Sequence, residues 1–335
     1  MNIGFIGCGK MAAKAAETLV YLNEKYTLYG CAATDYSRAE EFREQFSFKK
    51  AYKTYEELVN DKEIEIIYIS TIISKHFEQI KLALNNNKHV LCEKAFCLNA
   101  VETNEVIALA KEKNLFLAEA IWTRYMPSRK IIEDLLKENT IGKPYLIEAN
   151  LGYPIKRYER IREPEMGGGS LLDVGVYPLN FALMFFGNNY KKINTEALMS
   201  IKGVDEINII NLVYGDKMAL LHSTMNGFTS RSGYIYGENG YLEIQNINNP
   251  ERINVYQKIA SGSKSANENI FELAKSIKIT NDFNGYEYEF IETYESIKKG
   301  LKENPSMPLS ETLKVMKLCD KCRKKWKMTY PSEVN

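Results

Sequence analysis

The chain has 335 residues, 45% of them hydrophobic and 26% charged, with 44 basic side chains against 43 acidic and a net charge of +1. That length fits about two domains of ~100–200 residues each, and the balanced charge excludes the one-signed field of a nucleic-acid or membrane-surface binder. No run of about 18 apolar residues predicts a membrane-crossing helix, and the chain opens on a strand rather than a secretion signal, so the expected location is cytoplasmic. NIGFIG (2–7) is an apolar strand, followed by CGKMAAKAAETLVYL with apolar residues three and four apart, the spacing of a helix. YTLYGCAAT (26–34) is a second strand and SRAEEFREQF a helix with a polar face. YKTYEELVN (52–60) is a short helix that Thr54 can cap. EIIYIST (65–71), KHVLC (88–92) and LFLAEA (115–120) are three further strands, separated by helices over SKHFEQIKLALNNN and NAVETNEVIALAKEKN. Strands alternating with helices predict βαβ units, hence an α/β Rossmann domain with a doubly wound parallel sheet.

The pattern changes near residue 121, which sets the expected boundary: a dinucleotide-binding domain over 1–121 and a substrate-binding and oligomerisation domain over 122–335. PSRKIIEDLLKEN is a helix, YLIEANLGY (145–153) a strand, and GGGSLLDVGVYPLNFALMFFG (167–187) a glycine turn leading into a helix. EALMSIKG, EINIINLVYG, KMALLHSTMN, SGYIYGENG and YLEIQN then follow one another with turns between them, the signature of an open, mostly antiparallel sheet in an α+β domain. SGSKSANEN (261–269) is the best loop, and helices from about Tyr286 to Lys299 and from Ser310 to Trp326 close the chain.

Six cysteines (8, 31, 92, 97, 319, 322) are scattered and expected to be reduced and buried. Cys319 and Cys322 form one CxxC on an amphipathic helix, where core packing outweighs metal or redox work. With only three histidines (76, 89, 222), no histidine-ligated catalytic zinc is expected, and the metal expectation is none.

GCGKMA (7–12) lies between the first strand and the first helix. Gly7 allows the tight turn, Gly9 lets the backbone approach a pyrophosphate, and Ala12 keeps helix and sheet close. The helix N-terminus, beginning at Lys10 and Met11, offers N–H groups and a positive dipole to the anion. The second strand should end in an acid if a ribose 2′-hydroxyl is bound, but Ala33 stands there, with Thr34, Asp35, Ser37 and Arg38 after it. A missing acid with hydroxyls and an arginine nearby leans toward NADP. The alternative is NAD, with Asp35 moved into the acid's role.

The strands ending at Thr71, at Glu93-Lys94 and at Glu119 should open on the same side, because ligands of an open α/β sheet bind beyond the C-terminal ends of its strands. Lys94 is therefore aimed at the nicotinamide region, and a surface pair with Glu93 would contribute at most ~1 kcal/mol. Asp173 and Tyr177 are four apart, on one helical face. Hydride transfer at a carbon bearing oxygen also moves a proton. Tyr177 is a candidate acid/base whose pKa, ordinarily near ~10, a neighbouring ammonium would lower. Asp173 would orient Lys94 or bind a substrate hydroxyl. Arg157, Arg160 and Arg162 either bind an acidic sugar or form a solvated loop, the latter being favoured.

Together GFIGCGKMA, HFEQIKLALNNNKHVLCEKA, AEAIWTRYMP, GGGSLLDVGVYPLNF and ENPSMPLSETL, spanning residues 3 to about 313, resemble the glucose–fructose oxidoreductase, inositol dehydrogenase and rhizopine-catabolism (Gfo/Idh/MocA) family. Within it, AEAIWTRYMP and GGGSLLDVGVY resemble the branch of dihydrodiol and D-xylose dehydrogenases. The resemblance places the family's lysine on Lys94, its proton-transferring tyrosine on Tyr177 and its helix aspartate on Asp173. It implies that Trp122 and Arg124 lie near substrate and that His76 lies beside the cofactor. It also implies an NAD(P)-dependent dehydrogenase of sugars (aldoses) or cyclic diols, forming a homodimer or higher homo-oligomer through the second domain's sheet. Two positions depart from the family: Ala95 replaces a proline after the lysine, and Thr34 stands where the NADP-using branch often has arginine. A rival expectation is a regulator or sensor that binds nucleotide without turnover, and a third is reduction of a biliverdin- or imine-like substrate.

Overall fold

The computed structural model describes residues 1–259 and 271–334; the loop expected at 261–269 lies outside them. The first strands and helices run β1 (Asn2–Ile6), α1 (Lys10–Tyr21), β2 (Thr27–Ala32), α2 (Tyr36–Phe46), β3 (Lys50–Tyr52) and α3 (Tyr55–Asn60). Next come β4 (Ile66–Ile69), α4 (Ile73–Asn85), β5 (His89–Glu93), α5 (Ala100–Glu112) and β6 (Leu117–Ala120). They are followed by α6 (Pro127–Lys137), β7 (Pro144–Gly152), α7 (Glu159–Arg162) and α8 (Val176–Phe186). Strands β8 (Lys192–Met199), β9 (Asp205–Val213), β10 (Met218–Thr224), β11 (Gly233–Gly237), β12 (Gly240–Gln245), β13 (Arg252–Lys258) and β14 (Phe271–Lys278) precede α9 (Glu287–Lys298) and α10 (Leu309–Trp326).

The chain divides into two compact units that are not consecutive in sequence. The first comprises Met1–Tyr125, Glu165–Gly167 and Asp282–Asp320, and the second Met126–Pro164, Gly168–Asn281 and Lys321–Asn335. This cuts the chain differently from the 121/122 boundary, because α9 and most of α10 pack with the first unit.

In the first unit six parallel strands take the order β3-β2-β1-β4-β5-β6. Both faces are covered, so the strands read as near-continuous apolar runs; every residue of β4 (IIYI) is buried. One face packs Leu58, Ile80, Leu84 and Val106 from α3, α4 and α5. The other packs Ala12, Ala16 and Leu19 of α1, Phe42 of α2 and Phe290 of α9. Thr54 caps α3 as expected, its hydroxyl accepting from Glu57 N at 3.1 Å. β3 was not expected: three residues at the sheet edge are too short to show a period.

The second unit carries eight strands in the order β14-β13-β12-β11-β7-β10-β9-β8. All neighbours are antiparallel except β7 and β10, which run parallel. β13 and β14 were not anticipated, and β14 is exposed at six of its eight positions, so no buried alternation marks it. The helix expected over 171–187 begins instead as a π-helical turn, Leu171–Gly175, that leads into α8. The stretch Pro164–Phe186 is long and apolar enough by composition to cross a membrane, but 89% of its most apolar window is buried in the fold, which makes it a core element.

Candidate active site

The β1–α1 turn has the shape its sequence predicts. Gly7 takes φ +100°, and a Cβ there would stand 3.0 Å from Thr71 Cγ2 and 3.1 Å from Ser70 O. Gly9 is the N-cap of α1 and has no side chain to cap the first amides. A Cβ built on Gly9 meets nothing within 4 Å, so the space before the helix is open to an incoming group. Lys10 is exposed and Met11 half-buried at the start of the helix, whose Ala12, Ala15, Ala16 and Leu19 anchor it to the sheet. Open backbone, uncapped amides and a helix N-terminus fit a pyrophosphate.

Beyond β2, Ala33 is buried at the position where an acid would bind a ribose, and Thr34, Asp35, Ser37 and Arg38 are exposed. Asp35 is engaged locally: it caps α2, accepting from Ser37 N at 2.9 Å and Ser37 Oγ at 2.8 Å. These bonds hold its carboxyl below the usual range. The Arg38 cation adds to the lowering of the Cys8 pKa and opposes the rise that burial gives Tyr55. It stands exposed on the first turn of α2.

Lys94 follows β5 directly and is half-buried, and the peptide bond from Lys94 to Ala95 is cis. Glu93 is buried; its carboxylate accepts from Tyr68 Oη at 2.6 Å and from Lys94 N at 3.3 Å. His76, on the first turn of α4, is fully buried between two carbonyl oxygens: Nδ1 lies 3.0 Å from Ala95 O and Nε2 3.3 Å from Thr71 O. A neutral imidazole carries one N–H, and the shorter contact assigns it to Ala95. Burial pushes the His76 pKa down to about 4, against the pull of those carbonyls. His76 thus braces the loops after β4 and β5 from within. Thr71, half-buried, donates its hydroxyl to Gln79 Oε1 at 2.5 Å.

Glu119, on β6, is buried, and burial raises its carboxyl pKa to about 7 while the Arg124 and Lys94 cations oppose that rise. Arg124 is itself buried, with Nη2 3.6 Å from Glu311 Oε2. Trp122 lies flat on Tyr286, ring centres 4.1 Å apart and planes 7° apart, in the first unit.

In the second unit, Asp173 falls in the π-helical turn and Tyr177 is the second residue of α8; both are largely buried. Arg160 Nη1 donates to Asp173 Oδ1 at 2.7 Å. Arg160 is exposed as expected of a solvated charge but is tied to Asp173, whereas Arg157 stays local, bonding and stacking on Tyr158.

Sequence reasoning missed Asp205. Fully buried at the start of β9, its Oδ2 accepts from Leu171 N at 2.9 Å and from Asn208 Nδ2 at 2.8 Å. Asn208 also donates to Ser223 Oγ at 2.8 Å, which lies 2.9 Å from Ser170 Oγ. Gly169 has φ +114°, and a Cβ there would stand 2.4 Å from Asp205 Oδ1. This network fixes the turn from which Asp173 and Tyr177 project. Burial raises the Asp205 pKa to about 6, against the bonds from Asn208 and Leu171. The only sequence signal was the run of three glycines, which lets the carboxylate come this close.

Cys319 and Cys322 are both fully buried on α10, as core residues. Among the described residues no group of three or more His, Cys, Asp or Glu is placed to hold a metal ion.

Comparison with known proteins shows the family and the fold. The GFO/IDH/MocA profile described as an oxidoreductase family with an NAD-binding Rossmann fold matches residues 1–120, and the GFO/IDH/MocA C-terminal domain matches residues 130–243. The chain is 34% identical to trans-1,2-dihydrobenzene-1,2-diol dehydrogenase of Xenopus tropicalis over 90% of each chain. It is 31% identical to the enzyme of that name from Mus musculus over 98% of each. In fold it is similar to a 3-ketoreductase from Actinomadura kijaniata solved with NADP and TDP-benzene, with a TM-score of 0.83, 22% identity and 97% of each chain covered.

Proposed function

The chain belongs to the GFO/IDH/MocA oxidoreductases, with an NAD(P)-binding Rossmann fold, and from that premise we propose that it oxidises a carbinol carbon of an aldose or a cyclic diol, passing hydride to NADP in preference to NAD. Tyr177 gives and takes the hydroxyl proton, and Lys94 tunes it; Asp173, held by Arg160, supports the tyrosine or a substrate hydroxyl. Trp122 and Arg124 contribute to the substrate side. Lys10, Met11, Thr34, Arg38 and Thr71 line the nucleotide, and Glu93 and His76 act from behind by holding the strand ends. The observation that carries the reading is the position of Lys94. It leaves the C-terminal end of β5 in the same parallel sheet whose β1–α1 turn is open at Gly9. The substrates are proposed from the dihydrodiol dehydrogenases to which the chain is similar and from the resemblance of AEAIWTRYMP and GGGSLLDVGVY to the D-xylose dehydrogenase branch.

Self-association through the sheet of the second unit is also proposed. Leu198, Ile207, Ile209 and Met218 on β8, β9 and β10 are exposed apolar side chains that a partner sheet would cover. Turnover of D-xylose, D-glucose and trans-dihydrodiols, measured with NADP and NAD in parallel for the wild type, Lys94→Met and Tyr177→Phe, tests the chemistry. Loss of turnover in both variants with nucleotide binding kept is expected; full activity in both refutes the assigned roles.

A further inference from the structure

The phosphate turn contains a side chain that cradling an anion does not require. Cys8 stands between Gly7 and Gly9, half-buried, and its Sγ donates to the Ala32 carbonyl at 3.6 Å. Cys31, the residue before Ala32, is fully buried, with its Sγ 3.4 Å from Ala39 O and 3.8 Å from Lys50 O. The sheet register sets them together: Phe5 pairs with Cys31, Ile6 with Ala32, and Gly7 N donates to Ala32 O at 2.9 Å. The two thiols therefore share the end of β2, Cys8 half-buried against the Ala32 carbonyl and Cys31 in the core one residue before it.

Their chemistry differs. The neighbouring Cys31 thiol is the main influence lowering the Cys8 pKa; burial opposes it and the Arg38 cation adds to it. The same contact, together with burial, pushes the Cys31 thiol up. The thiolate is the form that attacks a disulfide, so Cys8 is the first to react.

We propose that Cys8 and Cys31 are an oxidisable thiol pair that shuts the phosphate turn to nucleotide, with a small-molecule disulfide as the co-reactant. The Cys8 thiolate attacks one sulfur of the disulfide RSSR, forming a mixed disulfide and releasing RS⁻. Cys31 then attacks Cys8 Sγ, forming the Cys8–Cys31 bond and releasing a second RS⁻. The two protons lost by the protein thiols are taken by the two leaving thiolates. Two protein thiols are oxidised and RSSR is reduced to two RSH. The bond draws Cys8 toward β2 and pulls the Gly7–Gly9 backbone out of the shape that receives a pyrophosphate. Bound nucleotide covers Cys8 and protects it.

This rests on the turn being the NAD(P) site, so the reduced whole chain is first titrated with NADP and NAD. It is then treated with glutathione disulfide, followed by intact mass, peptide mapping and a second titration. Expected are the loss of two hydrogens, a Cys8–Cys31 linked peptide, and nucleotide affinity lower by about tenfold or more. Dithiothreitol restores binding and saturating NADP slows the oxidation. Cys31→Ser stops at a glutathione adduct on Cys8, and Cys8→Ser, compared with its own untreated state, is indifferent to the oxidant. A chain that stays reduced at Cys8 and Cys31, a wild-type adduct on Cys8 that never advances to the linked pair, or a linked pair that binds nucleotide as before each overturns the proposal. A reduced chain that binds neither nucleotide refutes the assignment of the turn instead, while the mass measurement still decides whether the pair forms.

Discussion

The His76 imidazole and the Ala95 carbonyl meet at 3.0 Å inside the protein, one residue beyond Lys94. The ring is neutral there because burial lowers its pKa from 6.5 to about 4. In the unfolded chain the same ring takes a proton below about pH 6.5. The folded state is therefore favoured by this group above pH 6.5, and that advantage is lost as pH falls toward 4. The shift corresponds to roughly 3 kcal/mol. Urea unfolding of the wild type and His76→Gln across pH 4–7 should show the wild type losing about that much more; parallel curves would contradict it.

Gly7 and Gly9 should separate stability from binding. Gly9→Ala adds a methyl group into open space, so its melting temperature should match the wild type while nucleotide affinity falls by about tenfold or more. Gly7→Ala forces a Cβ at φ +100° against Thr71 and Ser70, and should cost about 1 kcal/mol or more of stability. Thermal melts paired with NADP titration check both. A Gly9→Ala chain that binds NADP at wild-type affinity would remove the turn from the site.

Asp205 anchors the turn that precedes Tyr177. Asp205→Ala leaves Leu171 N–H and Asn208 Nδ2 without their acceptor, which costs roughly 2 kcal/mol or more and should lower turnover. Asp205→Asn keeps an acceptor and should recover part of the activity. The pH dependence has the opposite sign to that of His76. A carboxyl raised from 3.8 to about 6 gives stability that is full below pH 3.8 and lost as pH rises through 6. Denaturation of Asp205→Asn should therefore lack a fall of roughly 3 kcal/mol seen in the wild type between those values.

Arg38 should decide between the two nucleotides. Asp35, the acid that would favour NAD, is held by Ser37 as the cap of α2, while Arg38 stands exposed on the first turn of that helix. A guanidinium bonded to a 2′-phosphate contributes ~1.5–3 kcal/mol. Arg38→Ala should raise the Kd for NADP by about tenfold or more and that for NAD by less than about threefold. Equal losses for both nucleotides would place Arg38 elsewhere.

The βαβ half of the fold was legible because its signals are local. Glycines 7 and 9 sit between a run of apolar residues and a helical period, and Thr54 precedes its helix by one residue. The strands that went unseen lack such signals. β3 is three residues long, and β14 is a polar edge strand. The π-helical turn was read as plain helix because Leu171–Gly175 carries the same apolar pattern either way. The residues that support the site were hidden for a different reason. Asp205 begins DEINIINLV as any surface acid would, and only the tertiary approach of Gly169 and Leu171 gives it a task. Arg160 likewise acquires its meaning from Asp173, thirteen residues on.

The return of Asp282–Asp320 to the first unit has a consequence for how the protein is made. Phe290 fills the face of the parallel sheet beside Tyr68, Tyr26 Oη donates to Phe290 O at 2.9 Å, and Leu117 N donates to Lys302 O at 3.0 Å. While the ribosome is still synthesising the sheet of the second unit, the nucleotide-binding sheet lacks Phe290 on the face that α1 and α2 cover only in part. A gene fragment ending at residue 121 would leave the apolar surface under Phe290 uncovered and should yield aggregate rather than a nucleotide-binding module. The Rossmann unit is begun first, yet it waits for a segment made after every strand of the second unit.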